Sequence, residues 1–234
     1  MPSVTLSKAA STPMAPVQSK SNRPRQTGAV NGAALPRRVR LTPAWAGRDI
    51  SLEEFENADG QEGWRYELID GRIEVSPAPD MPHDVILTWI TRLFIYYKDA
   101  HPEVVNYVTN HSRVFVPGRR AATCPEPDFA AYRNYPHTLP VRKRSWRDIS
   151  PLLVMEALSE NSTKDLVRNV ELYLEVPSIR EYWIFDPRED TEDPSLRVYR
   201  KRGRAWQKPI DVAFGATYTT RLLPDFSLLI NPNA

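Results

Sequence analysis

The chain has 234 residues, 41% of them hydrophobic and 26% charged, with a formal net charge of +2. That length buries a substantial core, most simply as one domain with an appendage. A single cysteine, Cys124, excludes an internal disulfide and any cysteine-rich zinc site, and the longest apolar runs are too short to cross a bilayer, so a soluble, cytoplasmic protein is expected.

Residues 1–40 contain no acid and no aromatic residue but seven basic residues among Ser, Ala, Pro and Thr. Such composition cannot bury enough apolar surface to order itself, and it predicts a disordered basic arm preceding a body over 41–234. Without the arm, the body carries a net charge of about −5. Its basic residues cluster in "RVFVPGRR", "VRKRSWR" and "YRKRGR", which suit local phosphate contact as well as ordinary solvated loops.

In chain order, "DISLEEFENAD" predicts a short helix capped by Ser51, with Glu54 three residues on. "YELIDGRIEVSPAP" predicts a hairpin turning at Asp70-Gly71. "HDVILTWITRLFIYYKDAH" places Val85, Ile86, Trp89, Ile90, Leu93, Phe94 and Tyr97 on one face of a helix. Strands are expected at "NYVTNHSRVFV", "PDFAAY" and "LLVMEALS". A short helix from about Thr163 to Glu175 should follow, with Leu166, Val170, Tyr173 and Leu174 inward. "EYWIFDP", "LRVYRK", "AWQKPI" and "TYTTRLLP" read as further strands, the first with core aromatics Tyr182 and Trp183. The mixed order predicts an α/β (α+β) architecture: a mixed central sheet flanked by helices, with extra C-terminal strands.

One residue interrupts this pattern. Glu156 stands inside the apolar run "LLVMEAL", where an isolated carboxylate costs several kcal/mol unless paired, protonated or bound to a metal. Asp128 begins the preceding strand and Glu67 lies within "YELID". Taken singly, each is an ordinary strand-end carboxylate. Together, acids on neighbouring strands can converge on one divalent cation, and hard oxygen ligands of this kind suit Mg²⁺ or Mn²⁺. Such a cation would activate water and offset charge on a phosphodiester.

The stretches "YELIDGRIEVSPAP" followed by His83, "PEPDFAAY", "LLVMEALSENSTKDL" and "LYLEVPSIREYWIFDP" resemble, in order, the Uma-type endonucleases of the PD-(D/E)xK superfamily, over about residues 42–230. The resemblance implies a restriction-endonuclease-like core and a Mg²⁺-dependent endonuclease acting on nucleic acid, with DNA the expected substrate. It implies Asp128 and Glu156 as metal carboxylates, the carbonyl of Ala157 as a further ligand, and Glu67 completing the site. It also places His83 at the start of the long helix, as a phosphate contact or a neighbour of the metal.

The sequence departs from that pattern at the lysine. Two residues past Glu156 stands Leu158, and in the frame set by Asp165 and Tyr173 the family's helical lysine is replaced by Asn169. Lys164 and Arg168, on the same helix, are the candidates to substitute, beside the reading of both as exposed helix cations. Two functions stay open: a metal-dependent endonuclease using paired strand carboxylates, or a catalytically weak or inactive nucleic-acid-binding protein of the same fold. Cleavage of both strands of a duplex commonly uses two sites, which makes a homodimer compatible with the first.

Overall fold

The structure, a computed structural model, describes residues 38–159 and 164–234. Most of the expected basic arm, 1–37, lies outside the described residues. Its last part joins the body: β1 (Arg40–Leu41) pairs in parallel with β2 (Asp59–Gly60) and buries Leu41. Between them α1 (Leu52–Glu56) begins on the expected capping box, in which Ser51 Oγ accepts from the Glu54 N–H at 3.2 Å and Glu54 Oε2 accepts from the Ser51 N–H at 3.1 Å. Two otherwise unpaired N–H groups are satisfied reciprocally.

β3 (Trp64–Ile69) and β4 (Arg72–Pro77) form the hairpin. Asp70 and Gly71 take φ values of +49° and +77°, the left-handed pair that matches strand twist in a two-residue turn. α2 (Met81–Ala100) is capped by Asp80, whose carboxylate accepts from the His83 N–H at 3.2 Å, and Pro82 fits its first turn, where no intrahelical donor is needed. Its buried stripe is His83, Ile86, Trp89, Ile90, Phe94 and Tyr97. Val85, expected inward, is exposed.

The central sheet contains β5 (Tyr107–Thr109), β6 (Phe129–Tyr132), β7 (Leu153–Ala157), β8 (Glu181–Asp186), β9 (Ser195–Arg202), β10 (Ala205–Trp206) and β11 (Ile210–Val212). The order is β10-β9-β8-β7-β6-β5, with β11 also paired to β9. Only the β7–β8 pair is parallel, so the sheet is mixed, as expected. The strand expected over 106–116 is real only at β5. Val114 and Val116 instead bond the backbone at Pro125 and Thr123, turning that segment toward the hairpin. A final pair, β12 (Thr217–Thr219) and β13 (Ser227–Leu229), stands apart from the main sheet.

The sheet buries both faces. On one, α2 packs on Phe129, Met155, Trp183 and Phe185; Phe94 sits 4.8 Å from the Phe129 ring and 5.1 Å from Phe226. On the other, Tyr132, Val154, Tyr182 and Ile184 meet the second helix. This helix opens with a wide turn bonded i to i+5 over Lys164–Arg168 and continues as α3 (Asn169–Glu175). Its phase differs from the expected one. Asp165, Asn169, Leu172 and Tyr173 are buried, whereas Leu166, Val170 and Leu174 are only half-buried. The wide turn rotates the polar stripe inward, a distortion that recurs at functional sites.

Candidate functional site

The site begins with strand register. Phe129 on β6 lies opposite Met155 on β7, so the next pair out along this antiparallel ladder is Asp128 and Glu156. Directly opposed residues share a face. That face is the one covered by α3, because Ala130 and Val154 pack there. The Asp128 N–H donates to Glu156 Oε2 at 3.2 Å, and the Ala157 N–H donates to Asp128 Oδ2 at 2.9 Å. Each acid is thus tied to the other's strand, and each is only 3% exposed, so neither is shielded by bulk water.

What surrounds the two carboxylates differs. Arg65, on β3, forms an ion pair with Asp128 Oδ1, and His83 Nε2 lies 2.8 Å from Oδ2. Burial raises the Asp128 carboxyl, but His83 and Arg65 outweigh it and hold the group far below the ordinary carboxylate range. Among the described residues, no cation is in contact with Glu156. Burial, followed by the charges of Asp128 and Asp165, drives its carboxyl well above the ordinary value. Its Oε1 accepts from Tyr173 Oη at 2.8 Å and Asn169 Nδ2 at 3.1 Å. Two acids in one desolvated site have been pushed apart in proton affinity, the electrostatic pattern of a functional site.

Asn169 is completely buried and fully used. Its amide nitrogen donates to Asp165 Oδ1 at 3.0 Å as well as to Glu156, and its oxygen accepts from Arg168 Nε and Nη2, each at 3.1 Å. Asp165 is itself pushed up to about 7, first by burial, although Lys164 pulls in the opposite direction.

Glu67 forms the second ionic centre. Its Oε1 accepts the Glu126 N–H at 3.0 Å, while Oε2 meets Arg168 Nη2 at 3.0 Å and Lys164 Nζ at 3.4 Å. Burial raises this carboxyl, but Lys164 and Arg168 hold it below its usual value. Lys164 is held up to about 12: burial opposes its charge, and Glu67 and then Glu156 favour it.

All seven residues singled out in the sequence therefore adjoin one another, but not in equivalent roles. Asp128, Glu156, His83 and Lys164 line a cleft of about 250 Å³, together with Arg65, Asp165 and the backbone of the Ser76–Asp80 segment. Arg168 does not line it. The Arg168 guanidinium, which the sequence also offers as a substrate-binding residue, is engaged by Glu67, by Asn169 and, at 3.7 Å, by Glu74. His83 is 2% exposed and lies against Asp128, beside the expected metal carboxylates. Leu158 is buried in the core beneath α3.

Sequence reasoning missed Arg65, although the signal was present: it is two residues before Glu67 and therefore on the same face of β3. It used Asp165 only as a spacing mark and Tyr173 as a spacing mark and an inward helix residue, whereas both enter the network around Glu156.

Among the described residues, no group of three or more His, Cys, Asp and Glu is gathered as a metal cage. The cleft offers two converging buried carboxylates instead. Such a donor set fits Mg²⁺, which is bound through one or two carboxylates and keeps several of its waters. Burial is the first cause of the raised Glu156 carboxyl, and the neighbouring Asp128 charge adds to it, a repulsion that a cation between the two would relieve.

No helix among the described residues is long and apolar enough to cross a membrane. No curated protein matches the chain. In three dimensions the chain is similar to a protein from Anabaena variabilis ATCC 29413 whose crystal structure is described as that of a "putative nuclease". The TM-score is 0.56 at 18% identity, covering 77% of this chain and 95% of that chain. At that identity the likeness concerns the fold. Residues 52–231, which take in every element from α1 to β13, match the Uma2 family, described as "Putative restriction endonuclease". The chain belongs to the Uma2 family.

Proposed function

We propose that the protein is a metal-dependent endonuclease that hydrolyses phosphodiester bonds, with DNA as its substrate and Mg²⁺ or Mn²⁺ as its cofactor. The nuclease class is supported by the family match. The observation that carries the proposal is the opposition of Asp128 and Glu156 at the open end of the β6–β7 ladder, each bonded to the other's strand.

In this reading Asp128 and Glu156 hold the cation, which would supply an activated water and offset charge developing on the phosphate. The remaining residues prepare that centre. Ala157 N–H and His83 fix Asp128 Oδ2, and Arg65 steadies Oδ1. Tyr173 and Asn169 fix Glu156 Oε1. Lys164 lines the same cleft and carries the positive charge that Asn169 lacks, so it is the residue placed to stabilise charge on a phosphoryl oxygen. Glu67 and Arg168 position Lys164 and Asn169 respectively. The basic residues of 1–37 add non-specific attraction to phosphates. Their deletion should flatten the salt dependence of DNA affinity.

A second reading, a nucleic-acid-binding protein with little or no turnover, is favoured by one observation: the family's lysine position holds Asn169, a neutral side chain with every hydrogen-bonding position filled. Incubation of supercoiled plasmid with the protein and Mg²⁺ or Mn²⁺ separates the two. The endonuclease reading predicts nicking that stops on chelation and is lost in Asp128→Asn and Glu156→Gln. Nicking that survives both substitutions would contradict it, and folded protein that binds DNA without nicking would establish the second reading.

A further inference from the structure

A second charged concavity lies at the start of β7 and β8, the strand ends opposite to the one that carries Glu156. In the parallel β7–β8 pair, Glu156 is level with Ile184, and Glu181 is level with Leu153. Three residues of strand, about 10 Å at the usual rise, separate the two levels. Glu181 also points away from Glu156. It alternates with Tyr182, which packs beneath α3, and its neighbour Trp183 packs beneath α2. Here the sheet, the end of β9 and the segment between β12 and β13 enclose about 1210 Å³.

The lining is strongly cationic. Arg133, Arg180, Arg200, Lys201 and Arg221 face two acids, Glu181 and Asp225. Neither acid forms an ion pair with these cations among the described residues. Glu181 Oε2 accepts from Trp183 Nε1 at 2.8 Å and Tyr218 Oη at 3.2 Å, and its Oε1 is bonded by Thr220, so the carboxylate is satisfied within the core. Asp225 has no ion pair among the described residues.

The cations divide into spent and free. Lys201 Nζ is bonded to the carbonyl oxygens of Leu174 and Val176 at 2.6 and 2.9 Å, at the end of α3, and Arg133 Nε donates to Val104 at 3.3 Å. Arg180 and Arg221 form no side-chain hydrogen bond or ion pair among the described residues. Arg200 is the telling case. It stands directly across from Glu181 on β9, yet makes no ion pair with it, and its Nε is buried without any hydrogen-bond partner. A buried N–H left unpaired costs about 1–3 kcal/mol, a cost that an incoming acceptor removes.

We propose that this concavity is a phosphate-binding site, in which Arg180, Arg200 and Arg221 take the oxygens of a phosphoryl group. Guanidinium groups offer forked donors that match phosphate geometry, and three of them with no internal partner suit a multiply charged oxyanion. The phosphate belongs either to a nucleic-acid backbone or to a small phosphorylated molecule. The site does not depend on Asp128 or Glu156 and stands whether or not the protein cleaves DNA.

The test is calorimetric titration of the full chain with inorganic pyrophosphate in chelated, metal-free buffer. Wild type should bind, and Arg180→Ala/Arg221→Ala should bind about tenfold more weakly or not at all. Arg142→Ala/Lys143→Ala, which removes charge from an exposed loop elsewhere, should leave binding intact. Both residues of the tested pair are exposed, so melting temperature should be unchanged; if it falls, Arg180→Gln alone provides the comparison. Competition by a short DNA duplex would assign the site to backbone phosphates, and persistence of pyrophosphate binding beside bound duplex would assign it to a free phosphorylated ligand. No binding by wild type at millimolar pyrophosphate, or equal weakening by the loop pair, would overturn the proposal.

Discussion

Asn169 Nδ2 lies 3.1 Å from Glu156 Oε1, while the same nitrogen bonds Asp165 Oδ1 at 3.0 Å. One neutral amide thus bridges two buried acids, both of which burial pushes toward the protonated form. Replacement by Leu leaves both acids short of a donor and should lower unfolding stability by about 1–3 kcal/mol at pH 7, as read by urea denaturation. Asn169→Lys places a cation between two acids and should increase Mg²⁺-dependent nicking. If Asn169→Lys folds and nicks no faster than wild type, the amide does not limit catalysis.

Lys164 and Arg168 share Glu67 but should behave differently. Lys164→Ala is expected to reduce nicking by about 10²-fold, the scale of losing one group that stabilises transition-state charge, while Mn²⁺ affinity persists. Arg168→Ala should instead lower stability by roughly 3 kcal/mol, because it strips a direct partner from a buried carboxylate. Paired denaturation and nicking measurements would reveal a reversal of these two phenotypes, which would exchange the roles.

Glu181 gives the fold a pH signature outside the cleft. Burial raises its carboxyl above the ordinary value. The folded state therefore holds this proton more tightly than the unfolded chain does. The group's stabilising contribution is full below the unfolded value of about 4.3 and is lost as pH rises through the higher folded value. Glu181→Gln keeps an acceptor for Trp183 and Tyr218 and presents a donor to Thr220, so it should remove that loss. Urea midpoints measured between pH 4 and pH 8 should fall less steeply in the variant; an unchanged slope would show that Glu181 does not titrate there.

The hairpin that carries Arg65 and Glu67 depends on Gly71. At φ +77° a side chain is strained, and a Cβ would come within 3.0 Å of the Ala121 Cβ. Gly71→Ala should cost about 1–3 kcal/mol in unfolding stability. A loss below a few tenths of a kcal/mol would mean that the turn relaxes freely.

Features carried by local chemistry were legible in the sequence. The Asp70-Gly71 turn, the Ser51–Glu54 capping box and the stripe of α2 rest on residues close together in the chain, and Glu156 was conspicuous because it broke an apolar run. Features set by distant neighbours were not. The wide turn at Lys164–Arg168 shifts the helix phase so that Asp165 and Asn169 turn inward in place of Leu166 and Val170, which spacing alone does not show. Segment 110–116 reads as strand but bonds the loop at Thr123 and Pro125, and β13 pairs with β12 across a connection containing Pro224. Arg65 shares a strand face with Glu67, but its contact with Asp128 is made only by the fold.

The central claim is that Asp128 and Glu156 together hold one divalent cation. Anomalous diffraction from crystals soaked in Mn²⁺ tests it most directly. The account predicts a single strong peak between the two carboxylates, with an oxygen of each in contact, and its disappearance in Asp128→Asn. A peak that contacts neither carboxylate, or none at saturating Mn²⁺ with the cleft open to solvent, would contradict it.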